Sequence, residues 1–258
     1  AIEKRGKITH SDMCLENNTQ FKNLKKLVKN IQKNSDIKIG LQISHSGRKG
    51  STELPWVKHN STLKKKSWKT ISSSSIKKEI NWPNPKEMNH NDIKNVKQKF
   101  MNSSGLAKKL DIDCLELHMA HGYLLHQFFS PISNKRQDIY GGNLKNRCRF
   151  LLEVAKLVRK NWPNNKILGA RITGKDWIKK GIKLGAGSVL LTSIDQDGTQ
   201  KGFDLDLCSE IYKVCEVPLV ISGGMGKIDD IIPITQKFHI NGLAAGSVFH
   251  YENDDSYV

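Results

Sequence analysis

What the 258-residue chain lacks narrows the field first. No stretch approaches the roughly 18 consecutive apolar residues of a spanning helix, so no membrane partner is expected. No basic segment followed by an apolar one opens the chain, so no secretory signal is visible. Cys14, Cys114, Cys148, Cys208 and Cys215 are odd in number and form no C-x-x-C pair. That disfavours a metal site or a disulfide framework and fits a reducing, cytoplasmic setting. Cys114, inside an alternating run, is expected in the core. Arginine is also scarce, at seven of 42 basic residues, although the net charge is +17. Nucleic-acid sites favour arginine with interleaved aromatics, and no segment has that pattern. The lysine and asparagine spread along the whole chain read as compositional bias, with no nucleic-acid partner; "LKKKSWKT" (63–70) reads as solvated loop.

What is present is a succession of short apolar strands and amphipathic helices. Phe21, Leu24, Leu27, Val28 and Ile31 share one helical face, and a strand follows at 37–43. Residues 45–90 have no period and read as loop. A helix starts after Asn91 or Asp92 as N-cap and meets the poor helix formers Asn102, Ser103, Ser104 and Gly105. Strands are then expected at 112–118, 167–172, 188–194, 217–222 and 242–248. Helices are expected between them at 144–161, 175–184, 204–214 and 227–237. Strands joined by helical crossovers imply parallel pairing and an α/β fold, as a barrel or an open sheet. No G-x-G-x-x-G follows the first strand, which weakens the dinucleotide-binding alternative.

In parallel α/β folds the working residues sit at the carboxyl ends of the strands. Those ends offer Gln42, His45, Arg48 and Lys49; then His118, His121 and Tyr123; then Arg171; then Asp195 and Asp197. "SGGMG" (222–226) and Gly246–Ser247 end the last two strands. Paired glycine loops there suit a phosphate held on backbone N–H groups, against the plainer reading of tight turns. The histidine pair has three readings. It is a metal site without a third ligand, a structural pair, or two imidazole donors aimed at one substrate oxygen beside a tyrosine proton donor.

The stretches "EKRGKITH" (3–10), "GLQISHSGRK" (40–49), "ELHMAHGYLLHQFFSPISNKRQDIYGG" (116–142), "NRCRFLLEV" (146–154) and "ARITGKDW" (170–177) make residues 1–174 resemble the old yellow enzyme family of FMN-dependent oxidoreductases. Six of the seven arginines, all but Arg159, fall on them. From about residue 175 the resemblance changes. "GAGSVLLTSIDQDGTQKGFDLDL" (185–207), "PLVISGGMG" (218–226) and "LAAGSVFHY" (243–251) are similar to the cyclase subunit of imidazole glycerol phosphate synthase, a histidine-biosynthesis enzyme. Both families are (β/α)8 TIM barrels. The resemblance therefore implies a single chimeric barrel over 1–258, with a flavin-oxidoreductase-like part (1–174) and a cyclase-like, phosphate-binding part (175–258).

The flavoenzyme likeness implies FMN as cofactor, NAD(P)H as reductant and an α,β-unsaturated carbonyl as small-molecule substrate. It implies Gln42 at the flavin pyrimidine edge, Arg171 near flavin N1 and O2, and phosphate contacts from Gly223, Gly224, Gly246 and Ser247. Ser247 stands where the family usually has an arginine. His118 and His121 would hold the substrate carbonyl oxygen, and Tyr123 would protonate the α-carbon. The cyclase likeness leaves Asp197 as an acid/base residue without its partner aspartates, so a phosphosugar-binding cyclase-like barrel, or an inactive chimera, is the alternative. Family alignment also places the first barrel strand upstream of Ala1. The expectation is an incomplete barrel whose open edge invites self-association, and impaired activity.

Overall fold

The computed structural model describes residues 1–54, 56–58, 60–172, 182, 187–193, 196–197 and 199–245. The chain divides into two compact units, Ala1–Leu168 and Gly169–Val258. Both are built of parallel strands with helices between them.

In the first unit, α1 (Asn18–Asn34) opens on Asn17, whose side chain accepts the Gln20 N–H at 3.0 Å. Val28 is the buried member of its apolar face, while Leu27 stays 48 % exposed. Strand β1 (Gly40–Ile43) pairs in parallel with β4 (Cys114–Met119), Gly40 opposite Cys114 and Ile43 opposite Leu117. Cys114 is only half-buried, not the core residue expected, because it opens the strand, whereas Leu115 and Leu117 are fully buried.

The region 45–90 is not all loop. A 3-10 turn (Gly47–Lys49) and two short strands, β2 (Ile71–Ser72) and β3 (Lys86–Glu87), lie within it, and the strands pair in parallel. Two-residue strands leave no period to read. Buried Arg136 joins them from outside: its guanidinium donates to Ser73 O at 2.9 Å and Met88 O at 2.6 Å, and pairs with Asp138.

Helix α2 (His90–Lys108) corrects the expected cap. Asn89 is the N-cap; it accepts the Asp92 N–H at 2.8 Å, and Asp92 accepts the Asn89 N–H at 3.0 Å. The helix also continues through Asn102–Gly105. Poor propensity there costs about 0.5–1 kcal/mol per residue, whereas burying Ile93, Val96 and Phe100 contributes roughly 2 kcal/mol each. The small residues are used for packing: Ser103 Oγ donates to Leu15 O at 2.7 Å, and Asn161 Nδ2 of the facing helix donates to Ser104 Oγ at 2.9 Å. That helix is α4 (Leu144–Asn161), capped by Asn143; the short α3 (Leu124–Phe129), unforeseen in the sequence, precedes it. Phe128 and Phe150 pack as a tilted pair with ring centroids 4.4 Å apart, joining α3 to α4. Strand β5 (Ile167–Ile172) follows and contains the division between the units.

In the second unit, β6 (Val189–Thr192), β7 (Leu219–Ser222) and β8 (Gly242–Ala244) form a parallel sheet. Val189, Leu191, Leu219 and Ile221 enter its core with Cys208 and Ile211 of α5 (Leu205–Tyr212) and Ile234 of α6 (Ile231–Lys237). Asp204 caps α5 through the Leu207 N–H at 2.9 Å and accepts Ser193 Oγ at 2.9 Å. The helix expected at 175–184 lies outside the described residues save Ile182, as does the last strand beyond Ala245.

Candidate active site

Strand β4 delivers its last residues into a tight reversal. His118 is 4 % exposed, and its Nδ1 accepts the Ala120 N–H at 3.2 Å. A ring nitrogen that accepts is unprotonated, so the proton of the neutral imidazole lies on Nε2. His121 (φ +56°) and Gly122 (φ +71°) then both adopt left-handed backbone, which for a histidine costs about 1–2 kcal/mol. Among the described residues, three side-chain hydrogen bonds hold the turn besides the backbone bond from Tyr123 N–H to Ala120 O at 3.1 Å. Gly122 N–H donates to His126 Nδ1 at 2.7 Å, Gln127 Nε2 donates to Gly122 O at 2.6 Å, and Lys49 Nζ donates to His121 O at 2.6 Å.

The turn brings the three expected side chains together. The His118 ring lies edge-on to both His121 (4.9 Å between centroids) and Tyr123 (4.8 Å), with His121 and Tyr123 6.4 Å apart. Two imidazoles and a phenol at one strand end can hold one oxygen and deliver one proton. Among the described residues no group of three His, Cys, Asp or Glu is placed to hold a metal ion.

The supporting residues were not foreseen. Gln127, fully buried on α3, accepts the Arg48 N–H at 3.2 Å and donates to Ser46 O at 3.2 Å as well as to Gly122 O. It thereby ties the loop after β1 to the loop after β4. Gly47 (φ +59°) is required beside it, since a Cβ there would lie 2.2 Å from Gln127 Oε1. A glutamine within the apolar run "LLHQFF" was the available signal. His126 is pushed down to about 4, by burial first and then by Lys49, His121 and Arg48, which keeps it the neutral acceptor that Gly122 needs.

His45, offered by the first strand end, is a structural residue. Its Nδ1 accepts the Gly47 N–H at 3.0 Å and its Nε2 faces Glu3 Oε1 at 3.0 Å. Burial holds the imidazole down, so it stays neutral with its proton towards Glu3. Burial pushes the Glu3 carboxyl up, but the hydrogen bond from His45 and the Arg5 guanidinium outweigh it and hold Glu3 below the usual carboxylate range. Gln42 is exposed on β1, and its amide donates to Glu116 across the register pair.

In the second unit, Arg171 donates to Thr192 Oγ1 at 2.7 Å; among the described residues no carboxylate pairs with it. Gly223 (φ +95°) and Gly224 (φ +100°) are required by backbone packing. A Cβ on Gly224 would lie 2.1 Å from Gly202 O, and Gly202 N–H donates to Gly224 O at 2.7 Å. Farther along the loop, the N–H groups of Gly226 (2.8 Å) and Lys227 (3.1 Å) are already taken by Asp230. The phosphate reading therefore rests on Gly223 and Gly224 among the described residues; Gly246, Ser247 and Asp195 lie outside them. Asp197 donates its N–H to Ser193 O at 2.9 Å.

Comparison with known proteins gives two family matches. The profile of the NADH:flavin oxidoreductase / NADH oxidase family matches residues 1–199, and that of the histidine biosynthesis protein family matches residues 148–255. An NADH:flavin oxidoreductase of Gibberella zeae is 37 % identical over 185 residues, 69 % of this chain and 44 % of that protein. An NADPH dehydrogenase of Clostridium acetobutylicum is 35 % identical over 178 residues, 68 % of this chain and 48 % of that protein. The chain thus spans about half the length of the curated relatives it matches. Among solved structures, a 2-naphthoyl-CoA reductase complex has a TM-score of 0.79 at 20 % identity, covering 95 % of this chain and 41 % of that one. Morphinone reductase in complex with tetrahydroNAD has a TM-score of 0.76 at 18 % identity, covering 96 % and 72 %. The shared fold is the α/β barrel type of these flavoenzymes.

Proposed function

The chain belongs to the NADH:flavin oxidoreductase / NADH oxidase family, and from that premise we propose an FMN-dependent oxidoreductase of the ene-reductase type. It would draw on NAD(P)H and reduce the alkene of an α,β-unsaturated carbonyl compound. The observation that carries this reading is the His118–His121–Tyr123 group at the end of β4. His118 Nε2 bears the proton needed to donate to a carbonyl oxygen, and His121 is the expected second donor. That pull on the oxygen withdraws electrons from the alkene. Tyr123 then gives a proton to the α-carbon.

Family likeness assigns flavin contacts to residues of each unit taken separately. Gln42 presents an exposed carboxamide, with donor and acceptor, for the pyrimidine edge. Arg171 presents a guanidinium without a carboxylate partner among the described residues, for N1 and O2. Gly223 and Gly224 present backbone without side chains for the phosphate, with Gly246 and Ser247 assigned there by family likeness. When bound, FMN supplies the hydride acceptor and donor that no side chain here can supply. The test is flavin content of the purified chain, followed by anaerobic reduction with NADPH and reoxidation by 2-cyclohexenone. A chain that takes up no FMN overturns the reading.

The match over 148–255 supports a second reading, a cyclase-like phosphosugar-binding barrel with Asp197 as acid/base residue. Binding of a ribotide phosphate by a flavin-free chain would favour it. The overlap of the two family matches also supports a two-parent chain joined within 175–187, flavoenzyme part first. DNA reads running unbroken across codons 170–190 are its test. Sedimentation at rising concentration tests self-association through an open sheet edge; a monomer throughout removes it.

A further inference from the structure

The loop after β1 sends a cation into the turn after β4. Lys49 Nζ donates to His121 O at 2.6 Å and lies over the Tyr123 ring, 5.6 Å from its centroid. Its stem packs closely on Gly122, where a Cβ would meet Lys49 Cε at 3.1 Å. Lys49 is half-buried, and among the described residues no carboxylate forms an ion pair with it. Among the described residues, the charged and titratable groups facing this turn are Arg48 on the same loop, Lys78 with its ion-paired Glu79, and His118, His121 and His126. Among these groups Lys49, Arg48 and Lys78 stand against the Glu79 carboxylate, and they favour negative charge on the phenol they surround.

We propose, on the reading of Tyr123 as proton donor, that Lys49 is a positioning residue whose ammonium stabilises the Tyr123 phenolate while its hydrogen bond holds the strained His121 turn. In the protonation step the Tyr123 O–H bond breaks. Its electron pair stays on the phenolic oxygen, and the proton forms the new C–H bond at the substrate α-carbon. Water returns the proton. A cation over the ring of a partly buried phenol favours the phenolate, and charges roughly 6–8 Å apart lower such a titration by about one pH unit. The coupling is reciprocal: the phenolate raises the titration of the ammonium by the same amount.

The experiment uses the whole chain with ¹³C-labelled tyrosine Cζ and lysine Cε, with Tyr123→Phe and Lys49→Arg assigning the two signals. Lys49→Met is expected to raise the Tyr123 titration by about one pH unit, and Lys49→Arg to keep it near the parent value. Tyr123→Phe, which removes one oxygen, is expected to lower the Lys49 titration by a similar amount, and it decides the matter if Lys49→Met does not fold. Unchanged titrations would overturn the proposal. In the FMN-loaded chain, the alkaline limb of enone reduction should move upward in Lys49→Met with the Tyr123 titration. A chain inactive on enones would sink the functional reading, while the two titrations would still judge the Lys49–Tyr123 coupling.

Discussion

The strand-end loops of the two units are held in different ways. In the first unit, side chains bind backbone: Gln127 reaches three backbone groups, Lys49 one, and Arg48, Arg136, Arg147 and Arg149 each donate to carbonyl oxygens. In the second, the loops carrying Gly202 and Gly224 touch backbone to backbone, and a side chain, Asp230, binds only farther along, at the Gly226 and Lys227 N–H groups. Side-chain ties orient neighbouring side chains, as a site of two imidazoles and a phenol requires. Glycine contacts orient only the backbone, which suits an anion held on N–H groups. The contrast also explains why arginine persists in a lysine-rich chain. A planar guanidinium serves several carbonyls at fixed angles, and a lysine ammonium does not.

The largest test of the contrast is catalytic. His118→Ala is expected to slow reoxidation by an enone about 10²–10³-fold while flavin content and reduction by NADPH hold. Asp197→Asn should leave that step unchanged. The reverse outcome in stopped-flow traces would move the chemistry to the second unit.

Gln127→Leu comes next. It leaves Ser46 O, Gly122 O and the Arg48 N–H without their partner, a loss of about 3 kcal/mol in urea denaturation. Ser193→Ala, which removes one bond to Asp204, should cost about 1 kcal/mol. Equal losses would mean the first unit's ties are not special.

Acid should loosen the β4 turn before the rest of its unit. His126 titrates at about 4 in the fold against an ordinary 6.5, so the folded state favours the neutral ring. Its contribution is complete above pH 6.5 and is lost as pH falls towards 4, because protonation removes the acceptor of the Gly122 N–H. The loss by pH 5 is about 1–2 kcal/mol. Hydrogen exchange at the Gly122 amide should quicken over that window; a flat profile would contradict the neutral-acceptor role.

The smallest effect compares two glycines. Gly224→Ala meets backbone at 2.1 Å, whereas Gly142→Ala (φ +74°) meets nothing within 4 Å. Both incur the left-handed penalty of about 1–2 kcal/mol, so Gly224→Ala should exceed Gly142→Ala by about 1–2 kcal/mol in thermal unfolding.

By itself the sequence determined the longer elements, because helical and strand periods follow from burying one face: α4 runs from Leu144 to Asn161 and β5 from Ile167 to Ile172, as expected, while the short β2, β3 and α3 left no period to read. It also determined which residues to suspect, since His118, His121 and Tyr123 stood together in one specific motif. Tertiary structure decided the rest. Packing against Leu15 and Asn161 carried α2 through its serines, against their propensity. Contacts from residues 72 to 81 positions away in the chain held the left-handed turn at His121, through Lys49 and the Ser46–Gln127–Arg48 bonds. A local pattern cannot encode such contacts, because their energy exists only once distant loops have been brought together.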